Sequence, residues 1–164
     1  MATKKVKNQK PLEQILMESC NKLRSNMSGI NYMYFVMGLV FLKFASLKFE
    51  MRRTELLNSE DSFAVDIPSF YTEKNVFYIS EKARWSYIKD NAKSPRIGII
   101  IDEALEELEK NNDQLKHALA TSTEGENTSR YGKASLPQSN FASLINEIDK
   151  IQEDEEIFIP NKYR

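Results

Sequence analysis

The chain has 164 residues and a mass of 19.0 kDa, with 23 Lys and Arg against 24 Asp and Glu, so its formal net charge is -1. That length suits one domain with a buried core, and the balanced charge excludes the broad basic field that drives autonomous nucleic-acid binding. A single cysteine, Cys20, excludes an internal disulfide and a multi-cysteine metal site, in keeping with a reducing cytoplasm.

The chain opens on Lys4, Lys5, Lys7 and Lys10, so residues 1–10 are expected to form a flexible basic arm. Pro11 suits the first position of a helix, where a missing N–H costs nothing. Leu12, Ile15, Leu16, Ser19, Cys20 and Leu23 then recur at helical spacing, with Glu13, Gln14, Glu18, Asn21 and Lys22 on the other side. Turn formers from Arg24 to Gly29 end this helix, and Ser28 is placed to cap the next.

From Tyr32 to Leu42 no side chain is charged. As a helix this stretch reaches only about 16 Å, against a bilayer core of about 30 Å. It also lacks the placement of an export signal. A short segment that is apolar on almost every side is expected to be the central post of a soluble helical domain. The helix should continue to about Leu57, with Gly38 permitting a close helix crossing.

Residues 63–79, with Phe63, Val65, Ile67, Pro68, Phe70, Tyr71, Val76, Phe77, Tyr78 and Ile79, form an extended aromatic insertion: irregular, with one or two short strands as the alternative. Ser80 is expected to cap a helix from Glu81 to about Asn91, with Trp85 at its edge. Ser94-Pro95 should open the next helix, whose stripe is Ile97, Ile100, Ile101, Ala104, Leu105 and Leu108. One or two further turns follow to Leu119. Residues 120–138, rich in Ser, Thr, Gly and Asn, should form a long loop. Phe141, Leu144, Ile145, Ile148 and Ile151 mark the last amphipathic helix, and Glu153 to Glu156 an acidic tail over 153–164. The expected fold is all-α: a bundle-like domain of about five helices over residues 11–152.

Recognisable catalytic chemistry is missing. Gly29, Gly38, Gly98, Gly125 and Gly132 stand apart, so no loop brings glycines together around a phosphate. His117 is the single histidine, with no partner for a zinc site or a triad. The acids Asp102, Glu103, Glu106, Glu107 and Glu109 match a carboxylate site only on paper, and a solvated helix face accounts for them.

Three blocks resemble the N-terminal helical domain of the modification (methyltransferase) subunit of bacterial type I restriction-modification systems. They are Leu12-Glu13-Gln14-Ile15-Leu16 through Leu23-Arg24-Ser25-Asn26-Met27 with Tyr34 to Phe44; Asn75 to Ser86, containing Ala83-Arg84-Trp85; and Ile97-Gly98 with Ile101-Asp102-Glu103-Ala104 and Glu109-Lys110-Asn111. The family's usual Arg-Gly-Asn-Met is here Arg24-Ser25-Asn26-Met27, and its Ser-Asp after the central helix is Ser46-Leu47.

The resemblance implies a domain that assists assembly with the specificity subunit and closure around duplex DNA. The catalytic methyltransferase domain, the restriction subunit and S-adenosylmethionine belong to the parent protein and its complex. No catalytic, cofactor or metal residue carries over, this chain alone is expected to be inactive, and the setting is cytoplasmic with no membrane partner. Lys22, Arg24, Lys43 and Arg84 are the candidate DNA or partner contacts. The competing reading is a free-standing helical interaction module unrelated to methylation.

Overall fold

The structure, a computed structural model, describes residues 29–115 and 136–151, together with Gln14, Met17, Glu18, Leu23, residues 122–123 and 126–127, Tyr131 and Gly132. The basic arm, Cys20, Lys22, Arg24, His117 and the acidic tail lie outside the described residues. Of the expected first helix, Gln14, Met17, Glu18 and Leu23 are helical. Gln14 Nε2 donates to Glu18 Oε1 at 3.2 Å, one turn on.

The central post is α1 (Gly29–Leu57). Tyr32, Phe35, Val36, Leu39, Val40, Leu42, Ala45 and Phe49 are buried around its circumference, so neighbouring elements wrap it as expected. Met37, at 50% exposure, marks the side left open. No helix among the described residues is long and apolar enough to cross a membrane.

After α1 the chain makes a 3-10 turn at Ser62–Ala64 and the short α2 (Ser69–Thr72). The aromatic insertion is thus irregular, as read from the sequence, but it holds helical turns where short strands were the alternative. Asn75 takes φ 56°, a conformation its short polar side chain tolerates, and this stops the turn and releases Val76 to Ile79 across the core.

Phe49, Tyr71 and Tyr78 pack ring on ring. Phe49 stacks on Tyr71 at 4.7 Å between centroids, and Tyr78 meets the two edge-on at 5.5 and 5.4 Å. The Tyr71 hydroxyl donates to the Val65 carbonyl at 2.6 Å, which keeps its polar end satisfied beneath the cluster. Burial raises its pKa above the ordinary 10.0.

A continuous helix from Glu81 to Asn91 does not form. The 3-10 turn Glu81–Ala83 is followed by Arg84 in extended conformation (ψ 144°), and α3 (Trp85–Asp90) restarts from there. The restart is local chemistry supplied from afar, because Ser46 Oγ on α1 accepts the Trp85 N–H at 2.8 Å. Ser80 gives no side-chain cap.

Helix α4 (Ile97–Asn111) begins two residues beyond Pro95, after a turn in which Ser94 Oγ accepts the Arg96 N–H at 3.2 Å. Its expected stripe is buried at Ile97, Ile101, Ala104, Leu105 and Leu108, while Ile100 is only half-buried. Each large aliphatic side chain so placed stabilises the fold by about 1.5–3 kcal/mol.

A 3-10 turn, Asp113–Leu115, follows. Within the expected loop, β1 (Ser122–Thr123) and β2 (Glu126–Asn127) pair antiparallel. The last helix is α5 (Gln138–Asp149), with Phe141, Leu144, Ile145 and Ile148 buried. Phe41 and Phe44 of α1 complete the core as partly buried members. Phe141 lies 5.2 Å from Phe35, and the carbonyl of Ile148 lies 2.9 Å from Lys43 Nζ, so α5 runs in the same direction as α1.

Candidate functional site

Among the described residues four polar or charged side chains are buried: Lys43, Ser46, Asp102 and Asn112. All four bind backbone groups of segments distant in sequence, with Ser46 holding the start of α3 as described above.

Lys43 was a candidate surface contact, and the structure corrects that reading. Its side chain is buried, and Nζ donates to the carbonyls of Ile148, Asp149 and Ile151 at 2.9, 2.8 and 2.6 Å. Carbonyls at a helix C-terminus lack intrahelical donors and carry the negative end of the helix dipole, so an ammonium there is doubly favoured. The charge is used inside the fold.

Asn112 acts as a piece of strand. Its Oδ1 accepts the Tyr78 N–H, and its Nδ2 donates to the carbonyls of Tyr78 and Leu108, all at 2.8–2.9 Å. The backbone N–H and carbonyl of Tyr78 thereby find their partners in one side-chain amide.

Asp102 fastens the connection between α4 and α5. Oδ1 accepts the Tyr131 N–H at 3.0 Å and Oδ2 the Gly132 N–H at 2.8 Å. Tyr131 is 4% exposed, its ring lies 4.1 Å from that of Phe35, and its hydroxyl donates to the Phe35 carbonyl at 2.7 Å. Space for this comes from two glycines. A Cβ on Gly38 would lie 2.1 Å from the Tyr131 hydroxyl, and one on Gly98 would lie 2.3 Å from the Tyr131 carbonyl oxygen. Gly38 therefore admits a tyrosine, where the sequence suggested a helix crossing.

Arg84 sits over the Phe49 ring, 4.9 Å from its centroid, and Nε donates to the Ile79 carbonyl at 3.3 Å. Glu50 Oε1 is 3.9 Å from the same nitrogen, so this cation is largely engaged within the fold. Trp85 is a core plug: its indole N–H donates to Asp149 Oδ1 at 2.9 Å, and Asp149 Oδ2 pairs with Lys89 Nζ at 2.9 Å.

Burial alone would raise the Asp149 carboxyl, but the hydrogen bonds from Lys89 and Trp85, with the charges of Lys89 and Lys43, outweigh it and hold the pKa below 3.8. A depressed carboxylate contributes stability that is complete above the unfolded value and is lost as pH falls through the folded one. Chemical denaturation of wild type and Asp149→Asn should therefore differ at neutral pH. The difference should shrink only once pH drops below about 3.8. A gap that closes already near neutral pH would contradict this assignment.

Lys43 and Asp102 lay within the sequence blocks and Asn112 just beyond the third, but none of their partners could be read there. Gly98 and Asp102, four residues apart, share a helix face on which Tyr131 and Gly132 lie, and nothing local predicts that these are the residues it receives. No group of His, Cys, Asp or Glu that could hold a metal ion occurs among the described residues.

Buried polar side chains that tie one backbone segment to another hold together an all-α, bundle-like domain. The chain belongs to the HsdM N-terminal domain family, which matches residues 12–148. It is 32% identical over 154 residues to the type I restriction enzyme MjaIX methylase subunit of Methanocaldococcus jannaschii, an alignment covering 85% of this chain and 26% of that protein. The chain thus spans about a quarter of the length of that relative.

Proposed function

We propose that this chain serves as the helical N-terminal domain of a type I DNA adenine-N6 methyltransferase subunit, packing on the catalytic domain, assisting assembly with the specificity subunit and helping to close the complex around duplex DNA. Methyl transfer from S-adenosylmethionine takes place on the catalytic domain. The observation that carries this reading is the use of the buried polar side chains. Lys43, Ser46, Asp102 and Asn112 all fix backbone geometry, which is what a scaffold requires. Family membership supplies the system in which that scaffold works.

Of the candidate contacts, Lys22 and Arg24 remain proposals for meeting DNA or a partner, Arg84 contributes only through its exposed fraction, and Lys43 is withdrawn. The restriction subunit joins in the full complex, within the cytoplasm. Co-purification with the matching specificity subunit, with and without the catalytic domain, tests the proposal. Association in at least one arrangement is expected. Its absence in both would leave a helical module with no part in methylation.

A further inference from the structure

The turns that follow α1 hold their inner side chains firmly and leave others in water. Ala64 and Tyr71 are buried, the Tyr71 hydroxyl bonds to the Val65 carbonyl, and Arg52 Nε on α1 donates to the Phe70 carbonyl at 3.0 Å. The Ala64, Ile67 and Phe70 N–H groups donate in turn to the carbonyls of Asp61, Ala64 and Ile67, which fixes the backbone between them. Yet Phe63 is 70% exposed, with Leu57 at 51% and Ile67 at 38%. Three of the seven exposed large hydrophobic side chains among the described residues thus fall within eleven positions. Phe63 and Ile67 flank the buried Ala64 in consecutive turns, and Phe63 meets the Phe70 ring edge-on at 5.9 Å. A lone exposed apolar side chain is ordinary, but a group of them on a firmly bonded segment marks a contact surface.

The charge around this group selects what can cover it. Glu55, Glu60, Asp61, Asp66 and Glu73 are exposed, and no Lys or Arg occurs from Thr54 to Glu73, in a chain whose total is only -1. Of the flanking cations, Arg52 pairs with Glu55 at 3.1 Å, Arg53 is half-buried and Lys74 stands at the edge. Phosphate groups meet repulsion here, whereas a cationic protein surface meets attraction.

We propose that Leu57, Phe63 and Ile67 form a docking surface for a protein that presents apolar side chains within a cationic rim. Phe63 is the anchor, and the acids steer the partner and turn nucleic acid away. Because the backbone is already bonded in place, little ordering accompanies binding. One consequence rests on the function proposed above: this face meets a protein part of the assembly, and the duplex passes elsewhere.

NMR of the full chain, titrated with a short synthetic peptide in which lysines flank two leucines, tests the surface independently of that function. The amides of Leu57, Phe63 and Ile67 should shift together. Serine in place of the peptide's leucines, or glutamate in place of its lysines, should weaken binding by about tenfold or more. Phe63→Ser should do the same while the α4 and α5 signals stay in place. If Phe63→Ser does not fold, Glu60→Lys combined with Glu73→Lys, both at exposed positions, should also weaken binding and reduce its salt dependence. Four results would overturn the proposal: no shift at these amides, peptide binding indifferent to these substitutions, the same shifts with a short DNA duplex, or the same shifts on raising protein concentration alone. Shifts at these amides on deleting residues 1–10 would also overturn it, by showing that the chain's own lysines occupy the surface.

Discussion

Alanine at Gly98 is expected to destabilise the domain by about 3 kcal/mol, the upper end of what overpacking a close contact costs. Helix propensity works the other way, favouring alanine by about 1 kcal/mol in a helix interior. Sterics should win because the new methyl would stand 2.3 Å from the Tyr131 carbonyl oxygen and 2.7 Å from its carbon, both backbone atoms. Relief requires moving the chain away, which also loosens the two N–H bonds to Asp102. At Gly38 the clash is with the Tyr131 hydroxyl, the end of a side chain, so Gly38→Ala should cost less. Urea denaturation of both variants checks the order. A Gly98→Ala protein as stable as the wild type would show that Tyr131 and Gly132 do not lie on α4.

Lys43→Met should cost a comparable amount, about 3 kcal/mol. Methionine keeps most of the alkyl stem, so packing around α1 changes little. What is lost is the ammonium, and the carbonyls of Ile148, Asp149 and Ile151 are left without that donor at a largely buried helix end. Removing one partner from a buried charged arrangement exposes the full desolvation penalty of the groups left behind. Lys43→Arg should rescue poorly, since a flat guanidinium does not reproduce the three converging bonds of an ammonium. Thermal and chemical denaturation read both variants. A neutral Lys43→Met would mean that α5 ends without needing the charge.

The outline of the fold was legible wherever one element's own pattern decided its structure. The stripe of α4 from Ile97 to Leu108 and the stripe of α5 from Phe141 to Ile148 each announce a helix by spacing, and the rod from Tyr32 to Leu42 announces a buried one by its unbroken apolar run. What could not be read locally was decided by a partner elsewhere. The helix expected from Glu81 breaks at Arg84 because Ser46, thirty-nine positions earlier, caps a new start at Trp85. Tyr131 and Leu136 sit in a polar stretch that reads as loop, yet both are buried, and for Tyr131 it is α1 and α4 that offer the place. Lys43 looked like a surface cation because a lysine in an apolar helix normally reaches for water. The C-terminal carbonyls of α5, more than a hundred positions away, offered it something better.

In the proposed role, this chain gives shape and assembly to chemistry performed elsewhere. The most direct test is DNA methyl transfer by the catalytic domain and specificity subunit, measured with and without this chain added in trans, alongside the chain by itself. Little transfer is expected without the chain, restoration on its addition, and none from the chain alone. Full transfer in its absence, or any transfer by the chain unaided, would contradict that role.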